Sequence, residues 1–135
     1  MLSVFFFYGG MSVFVLRVVL AVIFFAHGGR KIKNLKQTAV GFNAMGFKPG
    51  VFWGTLVALL EFFGGGFGFL LGIFAQPIAI LLAVQFVVII IWKLGANQPF
   101  VGGWELDLVI LAALLVLVAN GAGIWSLDRV LFLGS

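Results

Sequence analysis

One carboxylate, Glu61, interrupts an otherwise uncharged segment, VALLEFFGGGFGFLLG, that covers residues 57–72. A charged side chain at the centre of a membrane-spanning helix costs about 2.5–3.5 kcal/mol on insertion scales. Glu61 therefore needs either a cation beside it or a proton, since burial favours the neutral carboxyl group. In the protonated form it would donate a hydrogen bond or relay a proton.

Arg17 is the predicted partner of Glu61. It lies ten residues before His27 in another apolar segment, and Glu61 lies ten residues after Val51. If a hairpin joins the two segments, ten helical residues place both groups about 15 Å from the connection. The spacing predicts an ion pair between the first two helices. This pair is either a structural clamp or part of a site that handles protons or a ligand.

A second polar group is expected near the end of the first helix. His27 and Lys31 lie at this end, and Glu105 and Asp107 open the last apolar segment. A histidine beside a carboxylate and an apolar cavity can exchange protons with a quinol hydroxyl. The alternative is structural, because the macrodipole of a helix favours acidic residues in its first turn.

Gln85 is another polar side chain expected near mid-depth, where it either joins the charged groups or bonds to a neighbouring helix. The chain has one histidine and no cysteine. A bis-histidine haem site and a thiolate-bound cluster are therefore excluded for this chain alone. The spacing of the remaining acids indicates no metal site.

Glycines follow the buried acid at helical spacing. Gly64, Gly68 and Gly72 recur every four residues, and Gly65 lies one turn from Glu61 on an adjoining face. In membranes, small residues at this spacing let helices approach closely. We expect this face to pack against another helix beside the carboxylate.

The composition indicates an all-α integral membrane protein. Of the 135 residues, 64% are hydrophobic and 9% are charged, and the mean hydropathy is +1.28. Apolar segments long enough to cross ~30 Å of hydrocarbon as helices are expected at about residues 4–27, 51–74, 77–93 and 105–121. They lack the alternation of a spanning strand. The prediction is one domain over residues 1–135, a transmembrane four-helix bundle.

Five basic residues lie in the connection between the first two spans: Arg30, Lys31, Lys33, Lys36 and Lys48. The positive-inside rule places this connection in the cytoplasm and both termini outside the cytoplasmic membrane. Its apolar residues predict a short amphipathic helix at the interface, ending before Pro49. Beside a bilayer, these charges indicate topology or contact with anionic lipid, and no nucleic acid is expected as a partner.

Four stretches of the chain resemble members of the DoxX family of small four-helix membrane proteins. They are LRVVLAVIFFAHGGRK, GFNAMGFKP, LLEFFGGGFGFLLG and GGWELDLVILAALLVLVANGAGIWSLD, and together they span about residues 16–128. The resemblance implies a four-helix bundle and an association with redox chemistry, since family members resemble the membrane subunit of thiosulfate:quinone oxidoreductase. It also implies a functional set at the matching positions: Arg17, His27, Lys31, Glu61 and Glu105.

The expected function follows from the resemblance and from the buried polar groups together. We expect a redox-associated subunit that binds a quinone or similar lipophilic ligand, with electrons handled by a soluble redox partner or a bound cofactor. The chain holds no complete catalytic centre, so enzymatic activity of its own stays open. The alternatives are a non-catalytic scaffold or assembly partner and a small-molecule carrier, for which a homo-oligomer would be needed.

Overall fold

The computed structural model describes the backbone of residues 2–121 and the side chains of residues 11–121. Within this part of the chain all regular elements are helices. They are α1 (Leu2–Lys33), α2 (Leu35–Ala44), α3 (Gly50–Leu71), α4 (Ala75–Gly95) and α5 (Glu105–Asn120). Four segments are long and apolar enough to cross a membrane: Met11–Lys33, Gly50–Leu71, Ala75–Gly95 and Phe100–Asn120. The predicted all-α transmembrane bundle is confirmed, while residues 122–128 of the family-like C-terminal stretch lie outside the described residues.

The bundle core lies among α1, α3, α4 and α5. α1 packs along α3, α4 packs along α5, and contacts of α3 with α4 and of α1 with α5 join these pairs. Phe24 is fully buried at the centre, and its ring meets Phe69 and Phe86 edge-on at centroid distances of 6.0 and 5.9 Å. Large apolar side chains cover the outer faces, as expected for helices that are solvated by lipid.

α1 and α3 approach most closely at Gly28. An added Cβ at this glycine would lie 2.5 Å from the backbone nitrogen of Phe62, so a side chain there would push the two backbones apart. α1 continues through His27, Gly28 and Gly29 to Lys33, beyond the predicted end near residue 27. The adjacent glycines therefore serve helix packing and do not end the helix.

The glycines of α3 admit side chains from both neighbouring helices. A Cβ at Gly65 would lie 2.6 Å from the ring of Phe24 on α1, and one at Gly68 would lie 2.6 Å from Ile78 on α4. Gly64 also faces Ile78. Gly72 differs from the others because it follows the last residue of α3 with φ +71°, where it makes the turn toward α4.

α2 forms a tight hairpin with the first half of α3. The Gly50 backbone nitrogen donates to Asn43 Oδ1 at 2.8 Å, which satisfies one of the free N–H groups at the start of α3. A Cβ at Gly50 would lie 2.0 Å from the carbonyl oxygen of Ala39. The predicted helix in this connection is therefore present, and its packing lets α3 begin beyond the end of α1. Its cytoplasmic location stays a prediction.

The acid-bearing part of α3 is not regular α-helix. Residues Leu60–Gly68 form a π-helical segment that contains Glu61 and the close-packed glycines. Such wide turns are rare in proteins and occur frequently at functional sites. The same segment therefore carries the buried carboxylate and the closest contacts with α1.

We predict that Gly28→Ala destabilises the protein and that Gly41→Ala does not. The added methyl group at position 28 overlaps the backbone of Phe62, and overpacking of this kind costs about 1–3 kcal/mol. Gly41 lies inside α2 with no atom within 4 Å of an added Cβ, so alanine there is neutral or slightly stabilising. Unfolding in mixed detergent micelles, followed by circular dichroism, measures both. Equal stability of the two variants would contradict the close approach at Gly28.

Candidate functional site

The buried acid of α3 forms an ion pair with the last turn of α1. The Nζ of Lys31 donates to Oε1 of Glu61, which is 2% exposed, whereas the lysine side chain is 29% exposed. A lysine in this position can bury its aliphatic stem and keep its amino group near the polar boundary. The pair thus joins α1 to α3 at the end of α1.

The predicted ion pair between Arg17 and Glu61 is wrong. Arg17 precedes Lys31 by 14 residues, roughly 21 Å along an α-helix, and Lys31 is the residue that meets Glu61. The prediction fails because α1 continues to Lys33 and α3 begins beyond the end of α1. The two helices are therefore displaced along each other relative to a simple hairpin.

Arg17 instead lies beside the last turn of α3. Its side chain is fully buried, and Nη1 donates to the carbonyl oxygen of Phe69 at 2.7 Å. Phe69 belongs to the last turn of α3, where carbonyl groups lack donors from their own helix and the macrodipole favours a cation. The guanidinium also lies 5.3 Å from the ring centroid of Phe14. These contacts identify Arg17 as a residue that stabilises the end of a helix.

A second ion pair joins α4 to α5. The Nζ of Lys93 donates to Oδ2 of Asp107 at 2.6 Å and to the carbonyl oxygen of Gly103 at 3.2 Å. Both side chains are partly buried, with 24% of Lys93 and 13% of Asp107 exposed. Lys93 therefore holds together the end of α4, the following turn and the start of α5.

Both ion pairs border one cavity of about 220 Å³. Its apolar walls come from α1, α4 and α5, with the rings of Phe24 and Phe86 among them. Its polar residues come from all four long helices and lie within one end of the bundle. The lining residues are Ile23, Phe24, His27, Lys31, Glu61, Phe86, Ile89, Lys93, Leu106, Asp107 and Ile110.

His27 reaches both the cavity and the outside of the bundle. It lines the cavity wall one turn before Lys31, and its residue surface is exposed. Histidine exchanges protons near neutral pH more readily than any other side chain with an ordinary pKa. Its position therefore suits transfer of a proton between the cavity and the surroundings.

Besides Arg17, two further predicted site residues do not line the cavity. Glu105 accepts a hydrogen bond from the backbone nitrogen of Gly102 at 3.1 Å, and so supports the turn before α5. Gln85 lies on α4 and also does not line the cavity. Of the residues that the sequence singled out, the cavity thus brings together His27, Lys31, Glu61 and Asp107.

Among residues 2–121, no three His, Cys, Asp or Glu side chains come together in a way that could hold a metal ion. The polar end of the cavity offers two lysine amino groups, two carboxylates and one imidazole. Each carboxylate is paired with a lysine. This arrangement is suited to hydrogen bonding and proton exchange with an organic ligand.

The DoxX family profile matches residues 12–94, which include four of the five polar residues of the cavity. This chain belongs to the DoxX family. CatD of Bacillus subtilis, whose name describes it as a putative oxidoreductase, is 32% identical over 88% of this chain and 86% of its own length. The uncharacterized membrane protein Rv3486 of Mycobacterium tuberculosis is 31% identical over 90% of this chain and 82% of its own length. No solved structure matches at a significant level.

In this DoxX protein, Lys93 is the polar cavity residue that the sequence did not point to as a site residue. A signal was present, because Lys93 closes α4 and Asp107 opens α5 across a short connection. Consecutive antiparallel helices bring such residues to the same level. The aromatic residues Phe24 and Phe86 carried no such signal, since apolar residues fill these helices on every side.

Double-mutant cycles distinguish the observed ion pair from the predicted one. We predict that Lys31→Met and Glu61→Gln show a coupling energy of at least about 1 kcal/mol in unfolding experiments, because contacting groups are not additive. Arg17→Met and Glu61→Gln should add within about 0.5 kcal/mol, because distant sites act independently.

The single variant Arg17→Met should itself lower stability by about 1–3 kcal/mol, the cost of a buried carbonyl group that loses its donor. Strong coupling between Arg17 and Glu61, with none between Lys31 and Glu61, would contradict the observed arrangement.

Proposed function

We propose that this protein binds a quinone, or a lipophilic ring compound of similar chemistry, in the cavity among its four long helices, and that it serves as a membrane subunit in a redox system. The supporting observation is the composition of that cavity. Apolar and aromatic walls enclose one side, and five ionisable side chains meet at the other. Small-molecule sites commonly combine a largely apolar lining with a few polar groups that orient the ligand.

The size of the cavity suits a single substituted ring. A cavity of ~150 Å³ in another protein holds one benzene molecule, and this cavity measures about 220 Å³. The rings of Phe24 and Phe86 lie on its wall and can contact a planar ligand edge-on or face-on. The helix surfaces around the cavity face lipid, so a hydrophobic tail on the ligand can remain in the bilayer.

The polar groups divide into paired and proton-exchanging residues. Lys31 and Lys93 neutralise the two acids, which makes burial of those acids affordable in a medium of low dielectric constant. Lysine amino groups also donate hydrogen bonds to ligand oxygens. His27 reaches the cavity and the exterior, so we assign to it the exchange of protons with a ligand oxygen.

This division of roles leaves electron transfer to another component. Interconversion of a quinone and its quinol moves two electrons and two protons. The side chains of this cavity can bind the ring and exchange the protons, while a soluble redox partner or a bound cofactor supplies or removes the electrons. The name of the Bacillus relative, an oxidoreductase, supports a redox setting.

The two ion pairs also favour a second proposal, a non-catalytic scaffold. Lys31 with Glu61 joins α1 to α3, and Lys93 with Asp107 joins α4 to α5. If these pairs serve only helix packing, the exchanged pair Lys31→Glu with Glu61→Lys restores both folding and function in cells. If the cavity binds a ligand, the exchange restores folding at most. It places the acid on α1 and the cation on α3, so neither group keeps its position relative to the ligand.

We predict that a short-chain benzoquinone raises the thermal unfolding midpoint of the wild-type protein in detergent, and that Ile89→Trp abolishes this shift. A ligand at 100 times its Kd stabilises the folded state by about 2.7 kcal/mol. Ile89 lines the cavity, so tryptophan there fills the space that the ring needs.

Ile91→Trp is the matched control, because Ile91 lies two residues along the same helix and is 63% exposed. It should keep the ligand-induced shift. Absence of any shift in the wild-type protein would overturn the proposed function. Equal shifts in both tryptophan variants would place the ligand outside this cavity.

A further inference from the structure

Gln85 carries a buried amide group with no partner. Its side-chain nitrogen and oxygen are both enclosed, and neither has a hydrogen-bond partner in the described part of the chain. A buried polar group left in this state destabilises the folded protein. An apolar residue at this position would avoid that loss of stability. We therefore expect the amide to have a hydrogen-bond partner that comes from outside the chain.

The position of Gln85 follows from the packing of α3 against α4. Ile78 of α4 meets Gly68 of α3, and the two helices are antiparallel. On α4, seven residues or about two turns lead from Ile78 to Gln85. Gln85 therefore lies on the side of α4 that faces α3, in the direction of the segment that carries Glu61.

Gln85 does not line the cavity itself, but it lies beside residues of α4 that do. Its neighbour Phe86 and Ile89, one turn further along α4, both line the cavity, and residues four apart stack on one face of a helix. A rotation about the side-chain bonds of Gln85 would be needed to bring its amide to the space beside Phe86 and Ile89. Both amide atoms are without a hydrogen-bond partner in the described part of the chain and are therefore free to bind a ligand there.

We infer that Gln85 recognises a hydroxyl group on the ligand in the cavity, an inference that rests on the proposed function. The amide both donates through its nitrogen and accepts through its oxygen. A hydroxyl group matches both, whereas a carbonyl oxygen can only accept and leaves the amide oxygen unpaired. The site therefore binds the hydroxyl-bearing, reduced form of a quinone-like ring more tightly than the carbonyl form.

A water molecule offers the same hydroxyl chemistry and is the other source of a partner for the amide. The two sources predict different behaviour of the ligand-free protein. With a ligand hydroxyl as partner, Gln85→Leu removes an unpaired polar group, and the ligand-free variant is at least as stable as the wild type. With a bound water as partner, the same change removes two hydrogen bonds and lowers the unfolding midpoint.

The experiment measures the Kd values of a short-chain benzoquinol and of the matching benzoquinone, without oxygen, for the wild type and for Gln85→Leu. We expect the wild type to favour the quinol and the variant to lose roughly fivefold of that preference, the effect of one hydrogen bond. Gln37→Leu is the control, because Gln37 is exposed on α2. If the leucine variant does not fold, Gln85→Met keeps the length of the side chain and serves the same purpose.

The outcomes separate this inference from the proposed function. If neither form binds to the wild type, the proposed function fails. If both forms bind and the ratio of their Kd values is the same in Gln85→Leu as in the wild type, only the role of Gln85 fails. A lowered unfolding midpoint of the ligand-free variant together with an unchanged ratio assigns the amide to a water molecule and also overturns the inference.

Discussion

The ion pair between Lys31 and Glu61 is the interaction on which the arrangement of this bundle depends. Glu61 is almost fully buried among apolar helices, and removal of one partner from a buried pair costs about 3–5 kcal/mol. The pair therefore determines how far α1 is displaced along α3. Gly28 permits that displacement, since it brings the α1 backbone against Phe62, and the α2 hairpin accommodates the part of α3 that extends beyond α1. The position of the cavity follows from these three features together.

The cavity combines two kinds of side chain that oppose each other in a membrane protein. The proposed lipophilic ligand would need its apolar walls, whereas the proposed proton exchange would need its ionisable groups, which are costly to bury. The bundle accommodates both by pairing each acid with a lysine from the adjacent helix and by placing all of these groups at one end. His27 lines this end of the cavity and is also exposed at the bundle surface. Phe24 and Phe86 close the opposite side, where the packing of the core is continuous.

Arg17 shows how a helix end can hold a fully buried charge. Its guanidinium satisfies a carbonyl group in the last turn of α3, a place where the helix dipole and the lack of internal donors both favour a cation. Arg17 and Glu61 thus belong to different parts of the same helix, the last turn and the middle. The region that matches the DoxX family, residues 12–94, contains Arg17 and most of the polar cavity residues.

The sequence by itself determined the class of fold, because long uncharged segments leave helices as the natural way to satisfy backbone hydrogen bonds in lipid. It also indicated His27, Lys31, Glu61 and Asp107. Burial of an ionisable group costs free energy, so such a residue in an apolar segment can be recognised from the sequence. Tertiary structure alone decided which cation meets Glu61, because that depends on how far two helices are displaced along each other. The ion pair determines this displacement, and the close backbone contacts at Gly28 and Gly50 permit it. A sequence shows the glycines but not the partner that approaches them.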